Sequence, residues 1–153
     1  MSVINAKKYL SKYNLEKEII TLPTSTATVE KASKSLSCNP DEIAKTLSFI
    51  VNDTPIVIVM SGNSRIDNAK YRNYFKNKAK MISPDLVESL IGHQVGGVCP
   101  FGVKDNVKIY LDNSLKKYEY VYPACGEANN AIKLTIPILE KILQYPKWID
   151  VVK

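Results

Sequence analysis

The sequence KTLSFIVNDTPIVIVMS, residues 45–61, decides the predicted fold. It contains two β-rich runs, Lys45 to Val51 and Pro55 to Ser61, separated by a short polar segment, Asn52-Asp53-Thr54, which is typical of a β-hairpin. The second run is apolar at five consecutive positions, 56–60, and such a run predicts a strand that is covered on both faces. These residues therefore predict a hairpin whose second strand lies in the centre of a sheet.

Helical and strand patterns alternate on both sides of this hairpin. Helices are predicted at residues 2–13, after Thr28, from Asp67 to about Phe75, from Ser83 to Gly92 and after Thr135. Further strands are predicted at residues 18–22, 107–112, 118–122, 131–135 and 148–152. The order predicts one α/β domain over residues 1–153, with a mixed, strongly curved sheet or small barrel flanked by helices.

Length and composition narrow the class of protein. The chain has 153 residues, of which 45% are hydrophobic, enough for one core of ordinary size. Its three cysteines, Cys38, Cys99 and Cys125, are widely spaced, which argues against a disulfide framework and a zinc site. The chain start has no apolar signal region, and no apolar run approaches the roughly 18 residues that span a bilayer. We therefore expect a cytoplasmic protein without cofactor, metal or membrane partner.

The formal net charge of +6 favours acidic partners such as nucleic acid, although a solvated basic surface gives the same charge. Lysine supplies this charge, because Arg65 and Arg72 are the only arginines in the sequence. Base reading by guanidinium forks is therefore not expected. The composition permits an RNA partner without requiring one.

Two features could carry chemistry. Residues 96–102, GGVCPFG, hold three of the six glycines, and such a loop either aims backbone N–H groups at a ligand or is a plain tight connection. Lys45 shares the strand phase of Leu47, Phe49 and Val51, which directs it inward. It is therefore either a cation at the mouth of a pocket or a surface lysine whose stem crosses apolar residues.

Other candidates lie close to these two in the sequence. His93 could act as a base for a Cys99 nucleophile, or both could be buried structural residues. The small-residue turn 123–130 could form a pocket rim if folding brings it next to the glycine loop. Residues 24–26, Thr-Ser-Thr, could form a pocket wall or serve as turn and cap groups.

Taken together, these residues resemble the YbaK/ProX family of aminoacyl-tRNA editing domains, which also occurs inserted in bacterial prolyl-tRNA synthetases. The resemblance covers nearly the whole chain. Its markers are Ala44-Lys45-Thr46-Leu47, Ser61-Gly62, Gly92-His93, Gly96 to Gly102, Tyr110-Leu111-Asp112 and Pro123-Ala124-Cys125-Gly126.

The resemblance implies a trans-editing deacylase that hydrolyses the ester between a wrong amino acid and the 3′ adenosine of tRNA. It implies catalytic roles for Lys45, Gly97 and Gly126. The substrate-binding residues that it implies are His93, Gly96, Val98, Cys99, Pro100, Ala124 and Cys125. Mischarged tRNA, and a synthetase such as prolyl-tRNA synthetase, are the partners implied.

Our hypothesis is that backbone amides at Gly96, Gly97 and Gly126 hold the carbonyl oxygen or the amino acid. Lys45 would orient the terminal phosphate or ribose. Some relatives carry Ser where this chain has Cys99 and Cys125, so the sequence leaves Ala, Ser, Thr, Cys and Pro open as the edited amino acid. Two alternatives are a non-catalytic tRNA- or nucleotide-binding module and a Cys99-dependent hydrolase of small esters or thioesters.

Overall fold

The computed structural model describes residues 2–23 and 28–153, so the predicted wall residues Thr24, Ser25 and Thr26 lie outside the described residues. The described part contains five α-helices and eight β-strands, with short 3-10 helices between some of them. The helices are α1 (Ser2–Ser11), α2 (Val29–Leu36), α3 (Asn68–Phe75), α4 (Pro84–Ile91) and α5 (Ile136–Ile142). Among these described helices, none has the length and apolar character needed to cross a bilayer.

The strands form one main sheet and one small one. They are β1 (Ile20–Thr21), β2 (Ile43–Val51), β3 (Thr54–Ser61), β4 (Lys108–Asp112), β5 (Tyr120–Pro123), β6 (Asn130–Ala131), β7 (Leu134–Thr135) and β8 (Lys147–Ile149). The main sheet has the order β7-β5-β2-β3-β4-β8, and β1 pairs separately with β6. Three of its strand pairs are parallel and two are antiparallel, so the predicted mixed, curved sheet flanked by helices is confirmed.

The β2–β3 hairpin is the frame of this sheet. Its strands pair antiparallel from Ala44↔Ser61 to Val51↔Thr54. The two turn residues, Asn52 and Asp53, have positive φ angles of 49° and 64°, as a two-residue hairpin turn of matching twist requires. β3 is buried along nearly its whole length, which confirms the central strand predicted from its apolar run.

The two faces of the sheet bury separate apolar clusters. One cluster includes Phe49, Ile58 and Met60 and packs under α3. On the other face, α1 and α5 cover a cluster that contains Leu10 and Val59, and α4 covers a smaller one. β2 therefore separates two packed layers, and its side chains alternate between them.

Some elements are shorter than predicted. The first helix ends at Ser11 instead of residue 13, because the chain turns through Asn14, which has a φ of 59°. The predicted strand at 131–135 is divided into β6 and β7, because Ile132 donates its N–H to the Pro123 carbonyl and leaves the ladder (3.0 Å). Hydrophobic periodicity could not show either change of direction.

Candidate active site

A cavity of about 370 Å³ lies along the free edge of β2. β5 pairs with β2 only at Ile43 and Ala44, and residues 80–82 take over the same edge at Ser48 and Ile50. Between these two pairings the edge of β2 has no strand partner among residues 2–23 and 28–153, and the cavity occupies this gap. Its walls come from α2, α4, the glycine loop and the β5–β6 region, and include Val29, Ala32, Ile82, Val87, Val95, Gly96, Val98, Tyr122 and Ala124.

The polar groups of the cavity floor come from β2. The Ser48 carbonyl accepts a hydrogen bond from Ile82 N–H (3.1 Å), and Ile50 N–H donates one to the Lys80 carbonyl (3.0 Å). The backbone N–H and C=O groups of the even-numbered residues of β2 therefore point away from β3. Alternation along the strand gives Thr46 the same direction, which points its N–H and C=O toward the cavity. The hydroxyls of Thr46 and Ser48 also belong to lining residues, and neither has a hydrogen-bond partner among residues 2–23 and 28–153.

Lys45 lies at the same edge and also lines the cavity. Its side chain is half-buried, and its ammonium donates a hydrogen bond to the Ser64 carbonyl just beyond the end of β3 (2.5 Å). Burial, with a smaller contribution from the nearby Arg65 guanidinium, lowers the pKa of Lys45. The structure therefore places a half-buried lysine among the residues that line the cavity, and its ammonium is held by a backbone carbonyl. Its role in the site stays a prediction.

The glycine loop faces the cavity with only some of its residues. Gly96 and Val98 line it, and their N–H groups have no hydrogen-bond partner in the described part of the chain. Gly97 is buried, and its N–H already donates to the Gln94 carbonyl (3.0 Å). The donors available to a ligand are therefore the backbone groups on either side of Gly97.

The two small-residue loops are in direct contact. A Cβ added to Gly97 would overlap the backbone carbonyl of Gly126, so neither loop could approach the other with a side chain at this position. Asn130 fixes the second loop, because its side-chain amide both accepts from Cys125 N–H (3.0 Å) and donates to Cys125 C=O (3.1 Å). Folding thus brings the turn 123–130 next to the glycine loop, and Ala124 reaches the cavity wall.

His93 lies on the other side of the glycine loop, sealed from solvent under α1. Its Nε2 lies 2.6 Å from the Phe101 carbonyl oxygen, which can only accept, so Nε2 carries the proton. Its Nδ1 then accepts from the Ser2 hydroxyl (2.7 Å). Burial is the main cause that lowers the pKa of His93, and the ring is a neutral bridge between α1 and the loop.

The thiols of Cys99 and Cys125 are buried behind the cavity. Burial raises the pKa of Cys99 to about 12 and also raises the pKa of Cys125. The Cys99 sulfur is 3.5 Å from His93 Nε2, but that nitrogen carries a proton and donates it to Phe101. A Cys99 thiolate activated by His93 does not fit this arrangement, because the base has no free lone pair toward the sulfur.

The predicted site residues thus divide into two groups. Those that line the cavity are Lys45, Gly96, Val98 and Ala124. Those buried behind it are His93, Gly97, Cys99, Pro100, Cys125 and Gly126. Sequence reasoning missed Thr46, Ser48 and Asn130, although the alternation of β2 could have indicated the first two. Within the described ranges, no group of three or more His, Cys, Asp or Glu side chains is arranged to hold a metal ion.

Comparison with known proteins identifies related sequences. Residues 24–142 match the family described as the aminoacyl-tRNA editing domain. The uncharacterized protein YwhH of Bacillus subtilis is 42% identical over 154 residues, which cover 100% of this chain and 98% of that protein. A proline–tRNA ligase of Shouchella clausii is 32% identical over 100 residues, covering 65% of this chain and 17% of the ligase, so this similarity is confined to a small part of that enzyme.

Solved structures show the same fold. The crystal structure of a proposed trans-editing enzyme for prolyl tRNA synthetase has a TM-score of 0.89 and 25% identity, covering 99% of this chain and 97% of that one. The hypothetical protein APE2540 has a TM-score of 0.82 and 21% identity, covering 95% of this chain and 99% of that one, and this likeness concerns the fold alone.

Proposed function

Because the chain belongs to the aminoacyl-tRNA editing domain family, we propose that it removes wrongly attached amino acids from tRNA by hydrolysing the ester at the 3′ adenosine. The observation that carries this proposal is the cavity at the edge of β2, which is lined by Lys45 and by backbone and hydroxyl groups that have no partner within the described residues. Its volume of about 370 Å³ lies within the range of small-ligand sites. Mischarged tRNA is the substrate that this proposal assigns.

The reaction adds water to the ester carbonyl and releases the free amino acid and the 3′ or 2′ hydroxyl of the terminal ribose. An aminoacyl ester is already activated, so orienting a water and stabilising the tetrahedral oxyanion is sufficient catalysis. We assign the oxyanion contacts to the N–H groups of Gly96 and Val98, which line the cavity and have no partner in the part of the chain that the structure describes. The Thr46 and Ser48 hydroxyls can hold the water or the amino group of the substrate.

Gly97 and Gly126 have a different part in this proposal from the one that the resemblance implied. The Gly97 N–H is bonded to Gln94, and Gly126 hydrogen-bonds through its backbone to Cys99. Their contribution is the close approach of the two loops, which sets the position of Gly96 and Val98. The substrate carbonyl therefore meets donors whose direction the glycine contact determines.

Lys45 supplies the cation of the site. Lys45 lines the cavity, and its ammonium is tethered to the Ser64 carbonyl without a carboxylate partner among the described residues. We propose that it contacts the ribose or phosphate of the terminal nucleotide and thereby aligns the ester with the glycine loop. A lysine suits this role because its ammonium is a compact charge with three donors.

Replacing Lys45 by Ala tests this role. We expect the deacylation rate of Lys45→Ala to fall about 100-fold or more, the loss typical of one removed electrostatic contact. The measurement is a deacylation time course with tRNAs charged with Ala, Ser, Thr, Cys and Pro, together with thermal unfolding.

Lys104→Ala is the matched control, because Lys104 also donates to a backbone carbonyl, that of Ser89 (2.5 Å), but does not line the cavity. The control is expected to retain the wild-type rate. Wild-type turnover by Lys45→Ala would overturn the role of Lys45. Binding of tRNA without cleavage of any charged species would instead favour a non-catalytic binding module.

A further inference from the structure

A row of exposed lysines follows α3. Lys76, Lys78 and Lys80 are exposed, whereas the two residues between them, Asn77 and Ala79, are half-buried. Asn77 donates its side-chain amide to Asn52 and to the Phe75 carbonyl (both 3.2 Å), and Ala79 packs against the cluster under α3. The segment is thus anchored on one side and presents three ammonium groups to solvent on the other. We call Lys76, Lys78 and Lys80 the lysine row.

A groove of about 550 Å³ adjoins the lysine row, and Lys78 of the row lines it. It is lined by Asn68, Ala69, Arg72, Asn73, Lys78 and Ala79. Its ionisable lining residues, Arg72 and Lys78, are both cations, and amides supply the other polar groups. The neighbouring acid Asp67 is engaged in capping α3, where it accepts from the N–H groups of Ala69 and Lys70. The groove therefore combines positive charge with donors and suits an anion.

The charges of this surface are not neutralised by ion pairs. The two salt bridges found within the described residues join Lys34 to Glu30 and Lys70 to Asp150. Neither includes a member of the lysine row or Arg72. Four cations within residues 72–80 thus leave a local excess of positive charge, which attracts a polyanion through counterion release.

The lysine row leads directly to the cavity. The Lys80 carbonyl accepts from Ile50 N–H on the free edge of β2 (3.0 Å), and the next residue, Met81, forms a bridge with Phe49. Met81 lines the cavity and is 57% exposed, so it stands at the mouth. A ligand that extends out of the cavity past Met81 meets Lys80 first and Lys78 next.

We propose that the lysine row and Arg72 bind the phosphodiester backbone of the RNA strand whose 3′ end occupies the cavity. The choice of RNA rests on the proposed function. Lysines contact phosphates as point charges and read no base, so the row positions the strand and carries no sequence preference.

The first test measures binding of uncharged tRNA as a function of salt. Two triple variants are compared, Lys76→Gln/Lys78→Gln/Lys80→Gln and the control Lys8→Gln/Lys141→Gln/Lys147→Gln. The control residues are exposed and lie on α1, α5 and β8, which contribute no cavity residue. Both variants lose three positive charges, so a difference between them reports position and not net charge.

We expect the row variant to bind tRNA about tenfold more weakly at moderate salt. Three lost phosphate contacts are also expected to reduce the slope of log affinity against log salt by about 2. The control variant is expected to keep most of the wild-type affinity and slope. Equal losses of tRNA affinity in the two triple variants, or no tRNA binding by the wild type, would overturn the proposal. An equal loss of binding to polyglutamate would also overturn it, because the row would then attract any polyanion.

The second test separates this proposal from the proposed function. A 3′-aminoacyl adenosine has no phosphodiester strand, so the row variant is expected to hydrolyse it at the wild-type rate while kcat/KM for aminoacyl-tRNA falls about tenfold. Row-dependent tRNA binding without any hydrolysis by the wild type would support the lysine row and contradict the deacylase. Hydrolysis of aminoacyl-tRNA at the same kcat/KM by both triples would support the deacylase and overturn the row.

Discussion

The two sides of the glycine loop have the opposite roles from those that their residue types suggest. On the side toward β2, Gly96 and Val98 carry no reactive side chain but offer to the cavity N–H groups that have no partner among residues 2–23 and 28–153. On the side toward α1, His93 and Cys99 are the chemically reactive types, yet both are sealed from solvent and hydrogen-bonded within the protein. Reactive residue types here stabilise the loop, and the backbone is left to meet the ligand.

Physical chemistry explains this division. A buried imidazole satisfies two distant polar groups at once, here Ser2 and the Phe101 carbonyl, which a smaller side chain could not bridge. A buried thiol packs as a small apolar group. An exposed backbone N–H needs no side chain, so a cavity wall of glycine and valine can still donate hydrogen bonds. The comparison therefore predicts that mutations on the α1 side change stability and those on the cavity side change rate.

The largest effect is expected at Gly97, which lies between the two sides of the glycine loop and contacts the Gly126 backbone. In Gly97→Ala the added methyl would overlap the Gly126 carbonyl, so we expect the free energy of unfolding to fall by about 3 kcal/mol, the upper range for overpacking. Separation of the loops by about 1 Å is also expected to lower deacylation about 100-fold. Chemical denaturation and the time course measure the two effects.

Gly96→Ala is the matched control for this prediction. Gly96 has a φ of 89°, but a methyl there would meet only Ala128 Cβ at 3.8 Å. The expected cost is therefore about 1 kcal/mol, from the backbone conformation alone. Equal stability losses in the two variants would show that the contact between the loops is not what Gly97 provides.

His93 tests the α1 side alone. In His93→Ala the Ser2 hydroxyl and the Phe101 carbonyl lose a partner, and we expect a loss of about 2–3 kcal/mol in the free energy of unfolding. Because burial lowers the folded-state pKa, the unfolded state binds the proton more readily. Wild-type stability is therefore full above about pH 6.5, the unfolded value, and falls as the pH drops toward the folded pKa.

Denaturation of wild type and His93→Ala at several pH values between 5 and 8 measures this component, which should vanish in the variant. Ser2→Ala is a smaller perturbation, since it removes one bond of the bridge and leaves the Phe101 contact. A His93→Ala variant with wild-type stability and no deacylation would place His93 in the chemistry and contradict the division into two sides.

The smallest effect is expected at Cys99. Cys99→Ala should keep the deacylation rate within about twofold and cost about 1 kcal/mol of stability for the lost buried sulfur. The raised pKa of its thiol, about 12, also predicts that iodoacetamide does not modify it in the folded protein. Mass spectrometry after labelling should find modification at the half-buried Cys38, which Cys38→Ala abolishes. Loss of activity with labelling of Cys99 would support a covalent enzyme.

Much of the fold was predictable because its signals are local. The run at residues 56–60 predicts a buried strand, and the capping side chains of Asp67 and Thr135 accept hydrogen bonds from the helices that they were predicted to begin. Element ends were less predictable. The division of residues 130–135 into β6 and β7 depends on a bond from Ile132 to Pro123, a contact between two separate parts of the loop region.

The site was predictable in part. Alternation along β2 puts the side chain of Lys45 in phase with Leu47, and those of Thr46 and Ser48 on the other face. That residues of both phases line a cavity depends on the edge of β2 lacking a partner there among the described residues. That gap arises because β5 leaves β2 after Ala44 and residues 80–82 join it only at Ser48. The prediction that the editing domain occupies residues 1–153 remains a prediction.

By itself, the sequence determined the residue types and their local order: a hairpin with a doubly buried strand, two glycine-bearing loops and a lysine in the first strand of that hairpin. Periodicity and turn chemistry act over a few residues, so they can be recognised in a single sequence. Only the tertiary structure decided that Gly97 meets Gly126, that His93 faces Ser2 and not the cavity, and which backbone groups stay free. Those outcomes depend on contacts between residues up to 91 positions apart, which local patterns do not encode.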